Sequence, residues 1–214
     1  FELIIIEDAS TDNSLEIINM VNDQRIILHN NKYNLGQARS QNVGLKIASG
    51  AYVARLDQDD IMDPVRLEKQ VNYLDNNVEI SAVGSQIYCI DSKGKIIQNW
   101  NWPVGIENNV FSLILGQNPV ANPAIMIRKD VILELGGFNA DYEPSEDYDF
   151  WLRMLSQGYM CDNMDDYLTK YRVHSSQTST IQKTKQIEKH YSAFVDFYNR
   201  LNTKKVETEK IVNY

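Results

Sequence analysis

The sequence predicts an α/β fold in three layers, α/β/α, with a mostly parallel central sheet that becomes mixed and a helix at the C-terminal end. Three observations carry this expectation. Leu3, Ile4, Ile5 and Ile6 make an unbroken apolar run of the kind a strand buried on both faces requires. Strand and helix patterns then alternate, β-α-β-α-β, as far as Leu56. Acidic residues follow the first and third of these strands, at Asp8 and from Asp57 onward, and open parallel sheets bind their ligands beyond the carboxyl ends of their strands.

Taken in order, the loop over 7–12 leads to Asn13 with Glu16 three residues on, the form of a capping box, and Leu15, Ile17, Ile18 and Val21 give a helical apolar face. A short strand is expected over 25–28 and a helix over 36–48, with Gly50 as its C-cap because it lacks a Cβ. The next strand spans 51–56, and right-handed crossovers should join these three strands in parallel. Asp63 and Pro64 read as N-cap and N1 of a helix reaching about Leu74. Apolar stretches at 80–83 and 87–90 precede the turn Asp91, Ser92, Lys93, Gly94, which leads into Ile96 and Ile97 as a hairpin, so the sheet becomes mixed here. A strand over 124–127, a short helix over 130–135 ended by Gly136 and Gly137, and a helix over 148–157 ended by Gly158 follow. The tail over 184–201 has Ile187, Tyr191, Phe194, Val195 and Tyr198 at helical spacing and must pack against something.

Composition narrows the function. The chain has 214 residues and 43% hydrophobic content, enough for a substantial core. Its 29 acidic against 21 basic residues give a net charge of -8 with no Lys/Arg block, which argues against nucleic acid as a partner. An anionic substrate would need a local cation, and that points towards a metal. Cys89 and Cys161 lie far apart without a CxxC or Cys/His spacing, so neither a disulfide framework nor a zinc site is supported, and a cytoplasmic setting is the simplest. No apolar run reaches the roughly 20 residues of a membrane span.

The sharpest chemical feature is Arg55-Leu56-Asp57-Gln58-Asp59-Asp60, where a buried strand runs out into a loop. Such carboxylates repel one another unless a cation sits between them, and hard oxygen ligands suit Mg²⁺ or Mn²⁺. In an extended chain Asp57 and Asp59 face the same side. The plainer reading is a solvated loop that caps the following helix. A calcium loop of the EF-hand type is rejected, because Ile61 and Met62 occupy its fifth and sixth positions.

At these residues the chain resembles glycosyltransferase family 2. The resemblance rests on Ile6-Glu7-Asp8-Ala9-Ser10-Thr11-Asp12, on Asn34-Leu35-Gly36, on 50–60, and on Gly136-Gly137-Phe138 with Ser145-Glu146-Asp147-Tyr148-Asp149-Phe150-Trp151-Leu152-Arg153. It implies a GT-A (Rossmann-like) fold over residues 1–178, with a nucleotide-binding half at about 1–95, an acceptor-binding half at about 96–178, and a helical tail over 179–214. It also implies an opening strand and a Pro-Tyr-Asn loop before Phe1, so that the chain as given is expected to lack part of the donor site.

The implied activity is inverting transfer of a sugar from a nucleotide-diphosphate donor, UDP-linked by preference, to a hydroxyl of a glycan or lipid-linked acceptor, with Mn²⁺ or Mg²⁺. By the same resemblance Asp8 would accept a hydrogen bond from the base, Asp57 would meet the ribose or metal shell, and Asp59 would be the principal metal ligand. Arg55 and Arg172 would serve the nucleotide, and His174 would join the metal. Asp147 would be the general base, with Glu146 its partner or substitute. Inversion needs a carboxylate there to deprotonate the acceptor hydroxyl as it attacks the anomeric carbon. Capping of the helix that holds Trp151 is the structural alternative. The sequence departs from the family pattern at Glu7, in place of Asp, and at Gln41, in place of Arg before Asn42.

Other readings stay open at this point. Trp100 and Trp102 could form a sugar platform or belong to the core. Nucleotidyl transfer shares the acidic-cluster logic but wants a Gly-rich basic loop, which is not seen. A non-catalytic, transferase-like binding module is the third reading. The tail, with Lys183, Lys185, Lys189, Lys204 and Lys205, could serve a partner, its own core, or peripheral contact with a membrane.

Overall fold

The computed structural model describes residues 1–175 and 177–203; Lys204, Lys205 and the rest of the tail lie outside the described residues. Strand β1 (Leu3–Glu7) pairs in parallel with β2 (Ile26–Asn30), joined by helix α1 (Ser14–Asn19). The expected capping box is not formed. Asn13 occupies the N-cap but makes no side-chain cap bond, and Asp12 Oδ1 accepts from the Ser14 amide at 3.0 Å instead. Ile17 and Val21 remain largely exposed. Helix α2 (Gln37–Ile47) lays Gly44 against Ile4 and Ile6 of β1. It ends at Ala48, whose extended backbone (φ -55°, ψ 131°) stops the helix before Gly50 is reached, so Gly50 is not the C-cap.

The chain then leaves the β1–β2 pair. Strand β3 (Tyr52–Ala54) runs antiparallel to β7 (Met126–Arg128), at the edge of a second sheet ordered β3-β7-β5-β8-β4. Its other members are β4 (Ile61–Met62), β5 (Ile80–Ile90) and β8 (Met160–Arg172), and β6 (Ile96–Trp100) completes the expected hairpin with β5. Among the described residues, β1–β2 and β5–β8 pair in parallel and the remaining ladders are antiparallel. The three N-terminal strands therefore do not form one continuous parallel ladder.

Two apolar stretches expected as separate strands are one strand, β5. The polar residues between them stay inside it because Gln86 Nε2 donates to the Trp102 and Met164 carbonyls while Gln86 Oε1 accepts from the Trp102 amide, at a register shift against β8. Helix α3 (Arg66–Asn76) begins later than Asp63-Pro64 suggested; those two residues form the preceding turn, with Asp63 Oδ1 accepting from the Val65 amide. Helix α4 (Ile106–Ile114) and strand β8 were not anticipated.

Helices α5 (Lys129–Glu134) and α6 (Glu146–Ser156) follow, and α6 starts two residues earlier than its apolar pattern. Glu146 and Asp147 thereby enter its first turn. After the short α7 (Thr178–Ile181), α8 (Lys183–Thr203) packs against α6. Ala193 and Phe197 carry that contact into the core around Ile127, Phe150, Trp151 and Leu152. The face expected from the sequence packs only in part: Phe194 lies against this core, while Ile187, Tyr191 and Tyr198 are 60%, 69% and 58% exposed. Trp100 is also substantially exposed, whereas Trp102 packs against Ile87, Ala121 and Ala124. Cys89 and Cys161 are unpaired, and no described helix is long and apolar enough to cross a membrane.

Candidate functional site

Two acidic centres neighbour Arg55, which pairs with Asp57 of the first and pulls against the raised carboxyls of Glu146 and Asp147 in the second. The first is the loop after β3. It is not extended, because the Asp60 amide turns back to the Asp57 carbonyl at 3.1 Å. Asp57 and Asp59 therefore do not share one face; each has its own partner. Asp57 Oδ1 takes a salt bridge from Arg55 Nη2 at 3.0 Å, and Asp59 Oδ2 meets His174 Nε2 at 2.7 Å, both carboxylates being about one-third exposed. Asp60 is nearly buried, with Oδ1 accepting from the Arg172 amide at 2.8 Å and Oδ2 orphaned. Burial pushes its carboxyl up to about 7, with Asp57 and Asp59 adding to the effect and the Arg172 amide opposing it.

The loop is fixed from beneath by a residue the sequence reading missed. Arg66 is wholly buried and donates to Gln70 Oε1 and to the carbonyls of Arg55, Pro123 and Ile125, at 2.8–3.0 Å. One guanidinium thus ties the end of β3 to the segment before β7, since its five donors match several acceptors at once. The only hint in the sequence was the i,i+4 spacing of Arg66 and Gln70. Arg172 has a similar bracing role. Its Nε donates to the Asp59 carbonyl at 2.9 Å and its Nη1 to the Asp91 carbonyl at 3.0 Å, so the structure places this guanidinium on backbone oxygens.

Asp8 stands at the end of β1. Its carboxylate accepts from Asn31 Nδ2 at 2.8 Å and from the Leu35 and Gly36 amides at 2.9 and 3.0 Å. Burial raises its pKa, but these bonds outweigh burial and hold the carboxyl below its ordinary value. Asp8 therefore shapes the turn into α2, whose first amides, Gln37 and Ala38, are capped from the other half of the chain by Glu143 at 3.2 and 3.1 Å. Gly36 has φ 83°, and a Cβ there would lie 2.8 Å from the Glu143 carboxylate, so only glycine fits.

The second acidic centre is the start of α6. The turn before it is held from both sides: Asn42 Nδ2 donates to the Phe138 carbonyl and Asn42 Oδ1 accepts from its amide, while Arg153 donates to the carbonyls of Leu135 and Gly137. Gly137, at φ 75°, has no room for a Cβ, which would sit 2.3 Å from Asn42 Oδ1. Glu146 is 2% exposed. Burial, and then the neighbouring Asp147, push its carboxyl up to about 7; Asp147 is raised by burial as well, against the pull of Arg55 and His190. Asp147 Oδ2 accepts from Asn118 Nδ2 at 3.2 Å, and Oδ1 from the Tyr148 amide. A carboxylate drawn towards neutral pH is a better proton acceptor than one in bulk water.

No group of three His, Cys, Asp or Glu side chains converges on one point among the described residues. The pair Asp59–His174, with Asp57 two residues away, nevertheless offers the donor set of a Mg²⁺ or Mn²⁺ site that borrows its remaining ligands from substrate phosphates. The chemistry of these donors fits such an ion.

The chain as a whole is similar to known proteins. The family described as "Glycosyl transferase family 2" matches residues 1–136. A Haemophilus influenzae protein named "Uncharacterized glycosyltransferase" is 36% identical, covering 100% of this chain and 65% of its own length. The Escherichia coli "UDP-Glc:alpha-D-GlcNAc-diphosphoundecaprenol beta-1,3-glucosyltransferase WfaP" is 30% identical over 94% of this chain and 81% of its own. Among solved structures, S. aureus TarS 1-349 in complex with UDP-GlcNAc has a TM-score of 0.67 at 16% identity, covering 97% of this chain and 66% of its own. The mannosyltransferase PcManGT from Pyrobaculum calidifontis, in complex with GDP-Man and Mn²⁺, also scores 0.67, at 18% identity over 91% of this chain and 55% of its own. The chain spans about two-thirds of the length of the first curated relatives it matches.

Proposed function

The chain belongs to glycosyl transferase family 2, and from that premise we propose that it transfers a sugar from a nucleotide-diphosphate donor to an acceptor hydroxyl, with inversion at the anomeric carbon. The observation that carries this reading is the placement of two unlike acidic centres beside Arg55, one solvated and one buried. Asp59 and His174 would hold Mn²⁺ or Mg²⁺, with Asp57 as a further candidate for the metal or ribose shell, and the ion would offset the charge of a leaving diphosphate. Arg55 fixes Asp57 and lends positive charge to both centres. Asp8 and Arg172 serve mainly by shaping the loops around the nucleotide, with contact to the base and the diphosphate as their further roles.

Asp147 takes the proton of the acceptor hydroxyl as that oxygen attacks from the face opposite the diphosphate, which is what produces inversion. Burial raises the carboxyls of both Glu146 and Asp147, so the pair holds protons more tightly than carboxyls in water, which suits proton transfer at this position. The donor is read as UDP-linked, as the name of the E. coli relative and the TarS complex suggest, with GDP as the competitor that the Pyrobaculum complex raises. The acceptor is a glycan or lipid-linked hydroxyl, met at the cytoplasmic side by a protein in peripheral contact with the membrane. In this division residues 1–95 serve the donor and 96–178 the acceptor, and within the tail helix α8 braces α6.

Calorimetric titration of UDP with and without Mn²⁺, in the wild type and Asp59→Ala, tests the donor site. Binding that requires both the metal and Asp59 is expected. Binding of UDP that is indifferent to both would remove the metal from the account, and no binding of UDP or GDP would leave the non-catalytic module as the better reading.

A further inference from the structure

A trough of about 760 Å³ opens between the end of α4 and the outer face of α8. One wall is Ile114 and Leu115; the other is Ile187 and Tyr191, the residues the sequence placed on the packed face of the tail helix. All four are exposed, at 49%, 59%, 60% and 69%. Among the described residues, no Asp, Glu, Lys or Arg lines the trough. A site of this size and lining suits an uncharged, apolar ligand portion, since a charged group would be desolvated there without a counter-charge.

What distinguishes this trough from an ordinary exposed patch is that two of its lining residues, Asn118 and Ser145, neighbour the start of α6. Asn118 lines the trough and also donates to Asp147 Oδ2 at 3.2 Å. Ser145, the residue before Glu146, lines it too and meets His190 Nδ1 at 3.3 Å. His190 is fixed in turn by the Gly116 carbonyl at 2.8 Å and by stacking on Tyr148, with ring centroids 3.5 Å apart. A molecule whose hydroxyl reaches Asp147 therefore has its next uncharged segment led along Asn118 and His190 towards Leu115, Ile187 and Tyr191.

We propose that this trough seats the apolar chain of an amphipathic acceptor, an alkyl or polyisoprenoid segment, while the hydroxyl to be glycosylated lies at Asp147. The inference rests on the reading of Asp147 as the base. Alkyl glycosides used below their micellar concentrations test it, with methyl and n-octyl N-acetylglucosaminide as probes and UDP with Mn²⁺ titrated into the same preparations. The octyl compound should bind at least tenfold more tightly than the methyl compound, given the gain expected for several buried methylenes. In Leu115→Asp/Ile187→Asp, at two exposed positions that leave the core intact, the two glycosides should bind alike, with UDP binding and melting temperature unchanged.

Equal affinities in the wild type, or a chain-length effect that survives in the double variant, would overturn the proposal. A chain-length effect that appears only after residues 204–214 are removed would overturn it as well and assign the trough to that segment. If the double variant instead loses binding to acceptor-free vesicles with no change in glycoside affinity, the trough is a membrane contact and not an acceptor site. Loss of UDP binding with the chain-length effect intact would refute the donor reading alone, so the two failures are separable.

Discussion

The loop after β3 and the first turn of α6 are both short acidic runs, yet they hold their charges in opposite ways. Asp57 and Asp59 stay about one-third exposed and are matched by Arg55 and His174. Glu146 is almost wholly buried, and Asp147 beside it receives one side-chain hydrogen bond among the described residues, from Asn118. The first centre stays open to solvent beside Arg55 and His174, whereas in the second burial pushes the carboxyls upward. An ion and its phosphates suit the first environment, and a proton acceptor suits the second. The difference teaches that the acidic residues of one site can be sorted by environment even though their side chains are the same.

The hardest way to break this contrast is to remove its common support. Arg66→Ala strands the acceptors that one guanidinium now satisfies, and it should cost roughly 3–5 kcal/mol in urea unfolding, given about 1–3 kcal/mol for each buried group left unpaired. A loss below about 1 kcal/mol would mean that the acidic loop has another foundation.

Glu146→Gln probes the buried centre alone. The Glu146 carboxyl rises from 4.5 to about 7 on folding, so the native state binds the extra proton between those values. Stability from this group is accordingly full below about pH 4.5 and is lost as pH rises towards 7. The glutamine variant should match the wild type at pH 5 and exceed it at pH 8 by on the order of 2 kcal/mol. Thermal melts across that range would show it, and parallel wild-type and variant curves would contradict the burial argument.

His190→Ala should cost about 1–2 kcal/mol, since it removes a stacked ring and a bond to the Gly116 carbonyl. At the exposed centre, Asp57→Asn should change the melting temperature least, because its salt bridge to Arg55 lies partly in solvent, while weakening UDP binding in the presence of Mn²⁺. A large melting shift there would make Asp57 structural and blur the contrast.

What the sequence made legible followed from how each part is held. The strand at the apolar run Leu3 to Ile6, the hairpin turn at Asp91 and the glycine stops after α5 and α6 are local signals and appear where expected, but the first strand is not buried on both faces as its run implied, since Leu3 is exposed and Ile4, Ile5 and Ile6 are half-buried. Strand β8 was hidden because it buries Asp162 and Asn163, whose partners, Tyr73, Gly105, Asn109 and the Pro103 and Pro119 carbonyls, lie far away in the chain. The pairing of β3 with β7 rather than with β1 is likewise long-range. Periodicity was right for α8 only in part: Phe194 packs against the core beside Ala193 and Phe197, while the larger Ile187, Tyr191 and Tyr198 stay outside. At the candidate site, Asp59 and Asp147 stood out as carboxylates in recognisable runs, whereas Arg66, Asn118, Glu143 and His190 act only through residues brought near by folding.

The central claim is that Asp147 is the base of a sugar transfer whose donor binds elsewhere, at the exposed acidic loop. Transfer from UDP-sugars to an acceptor glycoside, compared between wild type and Asp147→Asn alongside metal-dependent UDP binding, tests it most directly. The account predicts a fall in turnover of about 10²–10⁴-fold with donor affinity unchanged, the range expected for loss of a general base. Turnover within a few-fold of wild type, with donor binding intact, would contradict it.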